Sequence, residues 1–379
     1  LKQSFFVFLG WLILKAVTLH YLLYPFKTFV IELPQFLCIF ETTELIEGNM
    51  SQIKTKLTEL LNIKVPIIGA PMFLVSNEEM VVQISEAGGI GTFPALNYRP
   101  IENYEKALKT IRQKTQKPIG VNIIVNKSNT RQKDDLRIAL DHGVNLFITS
   151  LGNPKEVIRE AHKNGAKVLC DVTNLDHALK VQDMGADGVI AVGTGAGGHA
   201  GPISPVVLIP WLSKELSIPV VAAGGVADGK TMAAMLALGA SGVSVGTRFI
   251  ACTEAEVGDD YKKAVINASP EDIIMTTRLS GTPAAVIKTP YTEKMGSDLP
   301  WAIEVLKKNP MTKKYVVPLI HYLGMRSLEG AIGKPTWKTV WSAGQSVGLI
   351  ESELSCHAII EKMIHEYKQA LAAMPKVEG

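Results

Sequence analysis

From Lys64 onward, short apolar runs rich in β-branched residues alternate with longer segments of helical period, joined at Gly, Pro or Asn. The runs predict strands at Val65–Gly69, Gly89–Phe93, Ile119–Ile124, Leu146–Thr149, Lys167–Asp171, Gly188–Val192, Val220–Ala223 and Gly242–Val245. The periodic segments predict helices at Asn77–Glu86, Ile101–Lys114, Arg131–Asp141, Pro154–Asn164, Asn174–Met184, Val206–Leu216 and Gly229–Leu238. The strands are apolar nearly throughout rather than at every second position. They are therefore expected to be parallel and buried on both faces, with the helices covering the outside.

Eight such strands close more naturally into a barrel than into an open sheet. A weak repeat supports closure: Gly165-Ala166-Lys167, Gly185-Ala186-Asp187-Gly188-Val189 and Gly239-Ala240-Ser241-Gly242-Val243 each end a helix and begin a strand. Glycine there supplies the left-handed helix cap. A dinucleotide-binding open sheet is the runner-up, but Gly69-Ala70-Pro71-Met72 follows the first strand where a G-x-G-x-x-G would be needed. The fold class is thus α/β, a (β/α)8 TIM barrel over residues 50–254. After Ala255 the alternation stops. Residues 255–355, with Trp301, Trp337 and Trp341, are expected to form a helical cap on the barrel mouth, the tryptophans serving packing rather than ligand stacking. Residues 356–379 are expected to hold a final helix, Cys356–Met374.

Residues 1–49 follow a different pattern. Phe5 to Phe26 is apolar and aromatic, interrupted by Lys15 and His20, and a second apolar run covers Phe29 to Phe40. The first run is long enough to span a bilayer, yet Lys15 at its middle costs roughly 2.5–3.5 kcal/mol on insertion scales. The chain opens on Leu1, and Met50 begins a stretch that reads as an ordinary soluble-enzyme start. Residues 1–49 are therefore expected to be translated upstream sequence outside the functional protein, rather than an anchor or signal.

Composition narrows the classes. Hydrophobic residues are 47% and charged residues 20% of the 379, so a large core can be buried. The formal net charge is +3, with no long Lys/Arg run and no zinc-finger spacing, so nucleic acid is not an expected partner; a membrane is not one either unless residues 1–49 belong to the functional protein. Cys38, Cys170, Cys252 and Cys356 are scattered, without a C-x-x-C pair. That argues against a disulfide framework or a zinc site and for a reducing, cytoplasmic compartment.

In a barrel, chemistry belongs at the C-terminal strand ends. The seventh strand ends in Ala222-Ala223-Gly224-Gly225-Val226-Ala227-Asp228-Gly229 and the eighth in Val245-Gly246-Thr247-Arg248-Phe249. Paired glycine turns at adjacent strand ends, with a helix N-terminus following, make a phosphate cradle. One cradle suits a mononucleotide such as FMN better than a dinucleotide. The sixth strand ends in Gly193-Thr194-Gly195-Ala196-Gly197-Gly198-His199-Ala200-Gly201, a costly density of glycine unless something must approach closely. His199 at its tip is the candidate acid/base. His142, His162 and His177, on helices or at their ends, read as surface residues, and no His/carboxylate set suggests a metal. Ala70, Pro71 and Met72 could meet a heteroaromatic edge through their backbone, and the buried amide of Asn122 needs partners that a flavin pyrimidine could supply. Asp171 either binds ribityl hydroxyls or caps the following helix.

Together these pieces resemble the nitronate monooxygenase, or 2-nitropropane dioxygenase-like, family of FMN oxidoreductases. The matching segments are Ala70–Met72, Val121-Asn122, Ala196–Gly201, Ala222–Gly229 and Val245–Phe249, with fainter likeness at Ser280–Ala284 and Ser342–Ile350. The resemblance implies non-covalent FMN, its phosphate on Gly224-Gly225 and Gly246-Thr247, its ring between Ala70–Met72, Asn122 and the loop of Ala196, Gly197 and Gly198. It implies His199 as the catalytic residue, binding a nitronate or taking the α-proton of a nitroalkane, with O2 completing turnover. Two positions depart from the pattern: many relatives carry Glu where this chain has Gly195, and Gly-Arg-Pro-Ala where it has Gly281-Thr282-Pro283-Ala284. The same constellation occurs in NAD(P)H-dependent reductases of enoyl thioesters and quinones, which is the alternative function. A non-catalytic FMN- or phosphate-binding protein is the third reading.

Overall fold

The computed structural model describes residues 52–126, 129–278, 282–295 and 340–375. Eight parallel strands form a closed barrel: β1 (Ile67–Gly69), β2 (Ile90–Pro94), β3 (Ile119–Ile124), β4 (Leu146–Ser150), β5 (Lys167–Val172), β6 (Gly188–Val192), β8 (Val220–Ala223) and β9 (Gly242–Val245). Closure comes from β1 pairing with β9, with Ile67, Ile68 and Gly69 opposite Val243, Ser244 and Val245. Each expected strand is present within about two residues, because an apolar run bounded by Gly or Pro has little choice of where to start.

The strand pleat sorts side chains into two cores. Ile68, Ile90, Leu146, Ile148, Leu169, Ile190 and Val221 point inward and fill the barrel. Ile67, Val121, Phe147, Val168, Val189, Ala222 and Val243 point outward against the helices. A short helix, α1 (Lys56–Leu61), contributes Leu57 and Leu61 to the inner core and is capped by Thr55, whose hydroxyl accepts from Thr58 N. Outside lie α2 (Glu78–Glu86), α3 (Ile101–Lys114), α4 (Gln132–Asp141), α5 (Lys155–Lys163), α6 (Leu175–Asp183), α7 (Pro205–Glu215) and α8 (Gly229–Ala237). Gly165, Gly185 and Gly239 have φ of 74, 93 and 102°, the left-handed caps that the repeat requires. No helix among the described residues is long and apolar enough to cross a membrane.

Beyond β9 come a four-residue helix, α9 (Thr247–Ile250), then α10 (Asp259–Asn267), β10 (Ile273–Thr276), β11 (Ala284–Ile287), α11 (Pro290–Met295) and the long α12 (Cys356–Ala372). The cap is thus not purely helical. β10 and β11 form an antiparallel pair, and β11 also pairs with a two-residue strand, β7 (Gly198–His199), inside the loop after β6. Trp301 and Trp337 lie outside the described residues. Trp341 stacks on Tyr261 of α10 with ring centroids 5.8 Å apart, and both residues line the cavity at the C-terminal strand ends. α12 returns to the barrel wall beside α8, where Gly229 permits contact: a Cβ there would lie 2.1 Å from the carbonyl oxygen of Met363.

Candidate active site

The C-terminal strand ends and the cap enclose a cavity of about 1570 Å³. Every residue singled out from the sequence lines it: Ala70, Pro71, Met72, Asn122, Asp171, Ala196, Gly197, Gly198, His199, Gly224, Gly225, Gly246 and Thr247.

The turn after β8 has Gly224 at φ 102° and Gly225 at φ 77°, backbone that an L side chain enters only with strain. A Cβ on Gly225 would meet nothing within 4 Å, so its Cα faces open space. Its N–H donates to Gly195 O at 3.2 Å, joining this turn to the His199 loop. The helix N-terminus that borders the cavity is a different one from that after β8. Two N–H groups at the N-terminus of α8 are already used, with Asp228 Oδ1 accepting from Thr231 N at 2.7 Å and Glu366 Oε2 accepting from Gly229 N at 2.9 Å. The short helix α9, whose N-cap Gly246 offers no side-chain cap, faces the cavity instead. Turns after the last two barrel strands together with a short extra helix are a recurrent barrel phosphate site. Thr247 Oγ accepts from Gly344 N at 3.0 Å, leaving the hydroxyl hydrogen for another acceptor.

The turn after β1 spends most of its backbone polarity on itself. Ala70 N donates to Val245 O at 2.8 Å and Met72 N to Ser76 Oγ at 2.9 Å, while Met72 O accepts from Asn97 Nδ2 at 3.1 Å. Among the described residues nothing bonds the Pro71 carbonyl, so it is one polar group this turn can offer a ligand.

Asn122 lies two residues before the end of β3 and is 9% exposed. Its Nδ2 donates to Ile148 O at 3.1 Å and to Ser150 Oγ at 2.9 Å. Both amide hydrogens are therefore used, and its Oδ1 remains as an acceptor for a ligand N–H. Ser150 in turn donates to Asp171 Oδ2 at 2.6 Å. Burial pushes the Asp171 carboxyl up to about 6, against the lowering effect of the Ser150 hydroxyl. Asp171 does not cap α6; Asn174 does, its side chain accepting from His177 N. The carboxylate is left facing the cavity, as a ligand with hydroxyl donors would require.

His199 is exposed on β7, with Ala284 of β11 opposite it in the ladder. The glycines around it serve close approach. A Cβ on Gly197 would lie 2.8 Å from Gly344 N, and one on Gly195 would lie 3.0 Å from Gly225 N. A longer residue at 195 would thus press on the glycine turn after β8. Gly198, at φ 65°, has nothing within 4 Å of its Cβ position.

Three features escaped the sequence reading. His177, taken as a surface residue, lines the cavity beside Thr173, and burial holds its imidazole below the usual pKa. Cys252, Glu254 and Cys356 bring their ligand atoms within 4.8 Å of one another. These three satisfy each other: both Glu254 oxygens accept from Cys356 N at 3.0 Å, and the Cys356 thiol lies 3.5 Å from Cys252 Sγ. The hydrogen bond to Cys252, together with burial, pushes the Cys356 thiol up, which disfavours the thiolate a metal needs. Ser150 was missed too; its one sequence signal is a hydroxyl closing an otherwise apolar strand end.

The residues fit a flavin mononucleotide. Open glycine turns and the α9 N-terminus would take a phosphate, Asp171 the hydroxyls, and Asn122 Oδ1 with the Pro71 carbonyl a ring edge.

A family model described as nitronate monooxygenase matches residues 54–137 and 131–366. The chain is 32% identical over 249 residues to the (3aS,4S,5R,7aS)-5-hydroxy-7a-methyl-1-oxo-octahydro-1H-indene-4-carboxyl-CoA dehydrogenase of Mycobacterium tuberculosis, covering 65% of this chain and 69% of that one. Among solved structures, FabK from Thermotoga maritima superposes with TM-score 0.72 at 35% identity, covering 85% of this chain and 98% of that one. A nitroalkane oxidase from Streptomyces ansochromogenes superposes with TM-score 0.71 at 25% identity, covering 84% and 99%.

Proposed function

This chain belongs to the nitronate monooxygenase family, and from that premise we propose that it oxidises alkyl nitronates with O2, using FMN. The observation that carries the reading is His199, presented into the cavity from a backbone pinned between β6 and the cap hairpin. When bound, FMN supplies the electron acceptor for the substrate carbanion. The chain's own residues do the rest. The His199 imidazolium binds the nitronate anion, or the neutral imidazole takes the α-proton of a nitroalkane. Gly224-Gly225 and Gly246-Thr247 hold the phosphate, Asp171 the ribityl hydroxyls, and Asn122 orients the ring through its free carbonyl oxygen. The cavity wall is largely apolar, which strengthens the attraction between imidazolium and anion.

The test is His199→Asn. The variant should keep bound FMN and lose at least about a hundredfold in turnover. A variant that sheds flavin while its remaining holoenzyme stays fully active would make His199 a structural loop residue.

A second reading, an NAD(P)H-dependent reductase of enoyl thioesters or quinones, is favoured by the size of the cavity and by the likeness to a CoA-linked dehydrogenase. It uses the same flavin site and differs in what reduces the flavin.

A further inference from the structure

Two leucines in the cavity wall have left-handed backbone: Leu74 at φ 58° and Leu151 at φ 62°. Leucine is a poor choice there. Glycine or asparagine would adopt this backbone more readily, and bulky residues held in it persist only where the surroundings over-determine them. Both positions are braced. Leu74 N donates to Asn97 Oδ1 at 3.0 Å, and Asn97 Nδ2 reaches Ser76 O at 2.8 Å, closing a clasp around the turn. Beside Leu151, Val125 N donates to Ser150 O at 3.0 Å, and Gly152 packs so tightly that a Cβ would lie 2.1 Å from Val125 O. The bracing does not serve to bury the side chains: Leu74 is 37% and Leu151 43% exposed. A third large apolar cavity residue, Met275 of β10, is also 43% exposed.

Size points the same way. Pockets for drug-sized ligands run to about 300–1,000 Å³, and this cavity, at about 1570 Å³, has room beyond a mononucleotide. A small nitronate would leave these side chains wet. We infer that Leu74, Leu151 and Met275 form an apolar subsite for the hydrocarbon portion of the substrate, so that the enzyme takes compounds with a bulky or extended alkyl group next to the reacting carbon. The inference rests on reading the cavity as the substrate's site, and holds for either the nitronate or the reductase chemistry.

Straight-chain 1-alkanols from butanol to octanol probe the subsite without requiring turnover. Titrated calorimetrically into the flavin-loaded protein, they should bind roughly three- to fourfold more tightly per added methylene. The double variant Leu74→Gly/Leu151→Gly places glycine where the backbone already suits it, so folding is retained and can be checked by circular dichroism. In it the gain per methylene should fall to less than twofold. Affinity independent of chain length in the native protein, or an unchanged gain in the variant, would overturn the subsite. Nitronates from ethyl to hexyl, assayed in parallel, separate the two claims. A chain-length gain in alcohol binding with no nitronate oxidised would leave the subsite standing and remove the nitronate reading.

Discussion

His199 lies opposite Ala284 in an antiparallel pairing of β7 with β11, so the candidate acid/base is held by the cap as well as by the barrel. β11 is the central strand of its small sheet, bonded to β10 on one side and β7 on the other. Proline at 284 removes a backbone donor from a central strand whichever neighbour it serves. Ala284→Pro should therefore retain flavin but lose roughly tenfold or more in turnover, as misplacing a reacting group does. Flavin content by absorbance and kcat per flavin check it.

The Asp171 carboxyl is raised from 3.8 to about 6 by burial in the cavity wall. The folded protein therefore holds a proton that the unfolded chain has released. This lowers stability as pH rises across that window, with the full penalty above about pH 6 and none below 3.8. Asp171→Asn should unfold at a higher temperature than the native protein at pH 7.5, both without flavin, with the gap closing towards pH 4. Ser150→Ala, which removes the hydroxyl that favours the charged form, should do the opposite at pH 7.5. Scanning calorimetry across that range decides both.

Gly225→Ala places a side chain in left-handed backbone, at about 1–2 kcal/mol, and directs the methyl into open space where the phosphate is proposed to sit. Flavin affinity should weaken by roughly tenfold or more, the factor that about 1.4 kcal/mol represents. Fluorescence titration of the apoprotein with FMN measures it.

Glu366 closes the N-terminus of α8 from α12, so Glu366→Ala should cost about 1 kcal/mol, a typical loss for a helix cap. The melting temperature should drop by about 2 °C at this chain length. Turnover should be unaffected, because neither Gly229 nor Glu366 lines the cavity.

The barrel was legible because strands buried on both faces are written as unbroken apolar runs, and the repeating Gly-Ala joints mark where each helix hands over to a strand. The candidate residues could be picked out for a related reason: glycine pairs and a lone histidine at strand ends stand outside the apolar pattern that packs the barrel, although Gly195, Gly197 and Gly224 also serve close backbone approach. What stayed hidden depends on distant partners. β7 is two residues long and carries no period of its own; it exists because Ala284 and Ala285 lie opposite it. The role of Ser150 follows from the register that sets β4 between β3 and β5, next to Asn122 and Asp171. The capping of α8 by Glu366 spans 137 residues, beyond any local signal.

Anaerobic stopped-flow spectroscopy of the flavin-loaded enzyme tests the central claim most directly. Mixing with propyl-2-nitronate should bleach the flavin absorbance within the time of a turnover, whereas NADH and NADPH should leave it oxidised. Rapid bleaching by NADH or NADPH, with none by the nitronate, would contradict nitronate oxidation and make the protein a nicotinamide-dependent reductase.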